Sequence, residues 1–276
     1  MDAYEKLETL KGLIASYCGL VVAFSGGVDS TLLLAVAHEV LGDRCLAVIA
    51  TSSTYPHREY ASAVEWVRNR GIPFVTIVSE ELDIPGFSDN PPDRCYYCKK
   101  ELFSKIFHEA VRFGITVIAD GTNYDDTGDF RPGMKAAREL GVKSPLMQCG
   151  LTKDDIRRIS REKYNLPTAD KQPMACMASR IPYGSVVSAD KLKQIEAIED
   201  FIESKGFKVF RARHHGDLLR LELGREEMAM IRQDLLSSEI VDFAKRAGFV
   251  YVTLDLQGFR SGSMNEVLQN GGRHAS

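Results

Sequence analysis

Two sets of residues in this sequence have the types and spacing of reactive groups. The first is Ser25-Gly26-Gly27-Val28-Asp29-Ser30, set between the apolar run Leu20 to Phe24 and a helix-prone stretch that closes on Gly42. Adjacent glycines let a backbone turn sharply and approach a ligand. The first N–H groups of the following helix, with the Ser25 and Ser30 hydroxyls, then supply donors to an anion. The chemistry this predicts is phosphate binding. No Gly-Lys-Ser/Thr follows, so this is not a Walker loop, and the Gly-x-Gly-x-x-Gly dinucleotide pattern is absent. The second set is sulfur. Cys95 and Cys98 form a Cys-x-x-Cys pair compatible with zinc, an iron–sulfur centre or redox exchange, and Cys176 lies in a separate Pro-bounded loop. Three thiolates rather than four would leave one iron of a cluster open to an external ligand such as an extra sulfide. Cys18, Cys45 and Cys149 sit in or beside apolar stretches and read as small core residues.

The elements that must position these groups follow from periodicity. Apolar runs at Leu20–Phe24, Cys45–Thr51, Pro73–Val78 and Ile115–Asp120 alternate with helical patterns through about residue 165. This predicts an α/β fold, a doubly wound parallel sheet of Rossmann-like kind over residues 1–166. Ligands of such sheets lie at the carboxyl ends of strands, which puts Thr51 and its hydroxyl neighbours beside a nucleoside. The loop from Gly121 to Gly133, rich in carboxylates such as Asp125 and then basic at Arg131, suits both orienting a magnesium–nucleotide and touching an acidic substrate, with a plain acidic surface loop as the alternative. Residues 167–187 carry three prolines, Cys176, Ser179 and Arg180, and read as an active-site connector. Residues 188–276 read as a second, smaller α/β domain that opens with a helix bearing Leu192, Ile195, Ile198, Phe201 and Ile202. Strand alternation puts Arg211 and Arg213 on one face, while His214 and His215 read as turn residues.

The composition narrows the classes. With 276 residues, 44% hydrophobic and 26% charged, the chain has the makeup of a globular protein of about two domains. A net charge of −3 provides no global field for nucleic acid, so no nucleic-acid partner is expected. No apolar run approaches the ~18 residues of a membrane span, and the charged start is not that of an export leader. No membrane partner is therefore expected. A cytoplasmic protein is, with its six cysteines as thiols, ligands or catalysts rather than disulfides.

The SGGVDS stretch resembles the signature of the PP-loop ATP pyrophosphatases. This implies the adenine nucleotide alpha hydrolase-like version of the predicted sheet, and ATP cleavage between the α and β phosphates. Together with DGTNYDDTGDFRPG, MACMASRIPYG and VTLDLQGFRSGSMN, it is similar to the LarE family, the ATP-dependent sulfur transferases of nickel-pincer cofactor synthesis. The resemblance spans nearly the whole chain. It implies a small-molecule substrate, a pyridinium-3,5-biscarboxylic acid mononucleotide, whose carboxylate is adenylylated before sulfur displaces AMP. It also implies ATP and Mg2+ as cofactors, with Asp29 organising the metal–pyrophosphate end and Ser25, Gly26, Gly27 and Ser30 on the phosphates. Ser179, Arg180, Arg211 and Arg213 are then expected at the substrate phosphate. Some members of the family use the cysteine matching Cys176 as a sacrificial donor. The additional Cys95 and Cys98 depart from that pattern, so a 4Fe-4S cluster on Cys95, Cys98 and Cys176, recharged by sulfide or another sulfur donor, is the expectation, with sacrifice of Cys176 as the alternative. A tRNA thiolase, an amidotransferase-type synthetase and a non-catalytic nucleotide sensor are the competing classes. The resemblance also points to a homo-oligomer, a hexamer among the options.

Overall fold

The computed structural model describes residues 1–128, 132–172, 175–232, 234–260 and 262–269. Arg131, expected to turn its loop basic, lies outside them. The chain forms two compact units, Met1–Ile84 with Asp93–Met174, and Pro85–Pro92 with Ala175–Ser276.

In chain order the first unit runs α1 (Ala3–Ala15), β1 (Leu20–Ala23), α2 (Val28–Leu41), β2 (Cys45–Thr51), α3 (His57–Asn69) and β3 (Phe74–Val78), then α4 (Arg94–Arg112), β4 (Ile118–Ala119), α5 (Pro132–Glu139), α6 (Pro145–Gln148) and α7 (Lys153–Glu162). The strands are parallel in the order β3-β2-β1-β4. Their side chains alternate between two buried layers, as a sheet covered on both faces requires. Val21, Leu46 and Val48 pack with Phe103 and Ile106 of α4, whereas Val22, Ala47 and Ile49 pack with α1, α2, α3 and α7 through Leu10, Leu33, Val67 and Ile156. Full burial of a Leu, Ile or Val contributes about 1.5–3 kcal/mol, so these layers hold the strand ends in place. The doubly wound sheet read from the sequence is present. Its fourth strand is shorter than expected, two residues at the sheet edge, flanked by a single parallel bridge from Ala119 to Lys143. Capping boxes open α1 at Asp2 and Glu5, and α7 at Thr152 and Asp155.

The second unit holds α8 (Ala189–Ser204), β5 (Phe210–His215), β6 (Leu218–Leu223), α9 (Asp234–Arg246) and β7 (Tyr251–Leu254). β6 lies between antiparallel β5 and parallel β7. The Ser188 hydroxyl caps α8 by accepting the Lys191 N–H. His214 and His215 belong to β5 rather than to its turn. The turn is Gly216-Asp217, and Gly216, at φ +68°, supplies the left-handed conformation such a tight connection needs. Residues 85–92, read from the sequence as part of a long polar loop, join this unit by backbone bonds from Val187 N–H to Ser88 O (2.8 Å) and Gly184 N–H to Asn90 O (3.1 Å). Asn90 is fully buried at φ +56°, and its amide donates to the carbonyls of Ile181 and Pro182. Among the described residues, no helix is long and apolar enough to cross a membrane.

Candidate active site

The strand order reverses between β1 and β4, so the crevice at their carboxyl ends is where an open α/β sheet receives a ligand. Phe24 to Gly27 turn the chain there. Gly26 has φ +63°, and a Cβ on it would stand 3.2 Å from Ala63 Cβ, so both conformation and space demand glycine. Gly27 caps α2 with no side chain bonded over the first N–H groups. The Ser25 and Ser30 hydroxyls lie 3.1 Å apart, and Ser30 Oγ also receives the Ser25 N–H (3.3 Å). Tyr55 fixes the turn from outside, its hydroxyl donating to Ser25 O at 2.7 Å. The result is a concave set of backbone and hydroxyl donors at a helix start, which favours negative charge.

Charged groups surround this turn. Asp29, in the first turn of α2, receives the Lys153 ammonium on both oxygens (2.6 and 2.5 Å) and the Asn123 amide at 3.3 Å. Lys171 donates to Gly26 O at 3.0 Å and pairs with Glu59. The loop after β4 presses on α2: a Cβ on Gly121 would lie 2.9 Å from Ser30 N. Asp125 accepts the Lys153 backbone N–H at 2.8 Å, anchoring the start of α7. Thr51 ends β2 with its carbonyl on Ser79 N–H, and the Ser52 and Thr54 hydroxyls beyond it bond to each other. The first unit thus gathers Ser25, Gly26, Gly27, Asp29, Ser30, Gly121 and Asp125 around one helix start.

Motif spacing singles out neither Lys153 nor Lys171. Lys153 carries a signal nonetheless, because it is the first residue of α7, where the helix dipole opposes a cation. A lysine there needs an anion to meet. Lys171 has no such mark; its partners are set by the tertiary fold.

The thiols divide by environment. Cys95 and Cys98 lie one turn apart on one face of α4, Cys95 exposed and Cys98 half-buried, with the Cys98 thiol directed at Glu81 Oε1 (3.6 Å). Cys176 is exposed in the second unit. Cys45 and Cys149 are buried, and burial pushes both thiols up, Cys45 to about 12. Cys18 is exposed, not a core residue, because it falls in the bend between α1 and β1. Within each unit, and among the described residues, no group of three or more His, Cys, Asp or Glu side chains stands ready as a metal site.

In the second unit Ser179, Arg180, Arg211 and Arg213 gather beside Cys176. Arg180 is fully buried and forks onto Glu199, Nε to Oε1 and Nη2 to Oε2, both 3.0 Å. Its Nη1 donates to Cys176 O (3.1 Å), Ser179 Oγ (3.2 Å) and Ala175 O. Arg213 donates to Ser179 O (3.1 Å), Glu222 (2.7 Å) and Ser263 Oγ (2.9 Å), while its buried Nε has no partner among the described residues. Glu222 is fully buried between Arg213, Arg220 and Ser263. Burial would raise Glu199, yet Arg180 overrides it and holds the carboxyl below its ordinary range. Burial, then the neighbouring Arg180 charge, lowers Arg211 to about 10. Three buried arginines and two buried carboxylates thus share one cluster in the second unit.

No protein-family model matches the chain. It is 37% identical over 263 residues, 95% of this chain and 98% of the relative, to an uncharacterized protein of Synechocystis. It is 35% identical over 266 residues, 95% of either chain, to the pyridinium-3,5-bisthiocarboxylic acid mononucleotide synthase of Lactiplantibacillus plantarum. More distantly, it is 26% identical over 199 residues, 67% of this chain and 63% of the relative, to one subunit of the glutamine-hydrolyzing GMP synthase of Thermoplasma volcanium. End-to-end identity with the mononucleotide synthase, and a phosphate turn of the kind the more distant relative's class implies, make the chain a member of the LarE family of ATP-dependent sulfur transferases.

Proposed function

We propose that this enzyme adenylylates a carboxylate of pyridinium-3,5-biscarboxylic acid mononucleotide and replaces the adenylate with sulfur, giving a thiocarboxylate. The observation that carries this reading is the Ser-Gly-Gly turn at the β1/β4 switch point, with Asp29, Lys153 and Lys171 around it. A substrate carboxylate oxygen attacks the α-phosphorus and the bond to the bridging oxygen breaks, so pyrophosphate leaves onto the α2 N–H groups, the serines and the lysines. Sulfide then adds to the acyl carbon, and AMP departs with its oxygen. Magnesium, when bound, would supply positive charge that neutralises the phosphates. Asp29 would hold it, being an oxygen donor of the kind such an ion accepts.

The arginine cluster suits the substrate's own phosphate. Arg213 offers its open Nε, and Arg211 adds a second buried guanidinium on the same strand. Arg180 we assign to positioning the Cys176 segment, because its fork is engaged by Glu199.

For sulfur we propose a 4Fe-4S cluster on Cys95, Cys98 and Cys176, supported by the donor chemistry. These three are accessible or half-accessible thiols in polar surroundings, unlike Cys45 and Cys149. Such a group, held by these three thiolates, would supply a replaceable sulfide for the transfer. A second reading, donation of the Cys176 sulfur itself, is favoured by that residue's place beside the arginine cluster. A homo-oligomer in the cytoplasm accords with the family. Pyrophosphate release with the pyridinium mononucleotide and not with tRNA tests the function. Iron and acid-labile sulfide after anaerobic preparation test the cluster, and loss of hydrogen sulfide from Cys176 after turnover would overturn it.

A further inference from the structure

Asp29 is the carboxylate a divalent cation would need, and it is already engaged. Lys153 Nζ lies 2.6 Å from Oδ1 and 2.5 Å from Oδ2, with Asn123 Nδ2 at 3.3 Å from Oδ1. Both partners are mostly shielded, the lysine 32% and the aspartate 21% exposed. Nor does the lysine reach there from a loose point. It is the first residue of α7, fixed by the Thr152–Asp155 capping box, by Asp125 on its backbone N–H, and by the Tyr124 N–H bond to Leu151 O. The dipole of α7 repels a cation at this position, so the ammonium gains by lying against a carboxylate.

We propose that Lys153 is a counter-ion gate on the metal position. In the nucleotide-free protein it satisfies Asp29 and keeps free divalent cations out, so metal enters only with a nucleoside triphosphate. A bare divalent ion at Asp29 would have to displace an ammonium and then endure its charge a few ångströms away. A triphosphate changes the balance, because its oxygens neutralise the ion and give Lys153 another anion to hold. The inference rests on reading the turn as the metal–nucleotide site, and it adds an order: no metal before nucleotide.

The test is Mn2+ binding to the full chain followed by electron paramagnetic resonance, with and without α,β-methylene-ATP. The wild type should bind Mn2+ with the analogue and only weakly without it. Lys153→Met should bind Mn2+ alone at least about tenfold more tightly, since a unit charge beside the metal is gone. Lys153→Arg should match the wild type, and Asp29→Asn with Lys153→Met should lose the gain. Equal nucleotide-free affinity in wild type and Lys153→Met, where both still take up metal with the analogue, overturns the gate and leaves the site intact. Absence of analogue-dependent binding in the wild type overturns the metal–nucleotide reading and the gate with it.

Discussion

Replacing Gly121 by alanine asks whether the loop after β4 sets the position of the phosphate turn. The added Cβ would stand 2.9 Å from Ser30 N, 3.2 Å from Ser30 Cα and 3.3 Å from the Asp29 carbonyl carbon. All three are backbone atoms of the first turn of α2, which cannot rotate aside as a side chain can. Optimal contact between heavy atoms is about 3.5 Å or more, so roughly half an ångström must open between loop and helix. Gly121 does not occupy the left-handed region, so alanine adds no backbone strain and the effect is steric. Overpacking of this kind costs about 1–3 kcal/mol of stability. Displacing the α2 N–H groups by a similar distance should lower kcat/KM for pyrophosphate release on the order of 10- to 100-fold. Urea unfolding and a coupled pyrophosphate assay measure the two effects. Gly12→Ala, in α1 with nothing within 4 Å of the new Cβ, is the control, expected to gain about 0.5–1 kcal/mol and keep full activity. Wild-type kcat/KM and an unchanged urea midpoint in Gly121→Ala would refute the reasoning.

Arg213→Met should raise KM for the mononucleotide about 10- to 100-fold while leaving KM for ATP unchanged, the loss of a charged hydrogen bond to its phosphate; equal changes in both constants would argue against that assignment. Glu199→Ala leaves Arg180 as a buried charge with its fork unmet, and chemical denaturation should show a loss of about 3–5 kcal/mol. Iodoacetamide at about pH 8 should modify Cys18, Cys95 and Cys176 well before Cys45, whose thiol burial holds at about 12. Iron loading should protect Cys95, Cys98 and Cys176 but not Cys18, which peptide mass spectrometry reads directly. His214 is pushed below its ordinary value of 6.5, chiefly by burial, so the unfolded chain takes up a proton that the folded chain refuses. The stability this neutral ring supports is complete above about pH 6.5 and declines as pH falls below it, and a His214→Asn variant should show a flatter urea-midpoint profile.

Much of the architecture was legible because it depends on short-range pattern. The glycine pair between an apolar run and a helix announces the turn, and period-two alternation is enough to place Arg211 and Arg213 on one face of β5. Side-chain partners are a different matter. Lys153 meets Asp29 across 124 residues of sequence, and no local spacing encodes that distance. Glu222 looks like a surface residue beside Arg220 until Arg213 and Ser263 close over it. Cys18 resembled a core residue because its neighbours are apolar, yet it falls where the chain bends between helix and strand. Residues 85–92 look like a loop of the first unit because their bonding partners lie about 90 positions later.

That short segment has a consequence for how the molecule is made. The polypeptide crosses from one unit to the other three times, so neither corresponds to a continuous piece of the gene product. Phe87 and Asn90 leave the ribosome long before Ile181, Pro182 and Val187, and until then the pocket that receives them does not exist. A fragment cut after residue 174 would carry an octapeptide with nowhere to dock. The complementary fragment would fold around a vacant groove. The two halves are therefore expected to be inherited, and to mature, only as a whole.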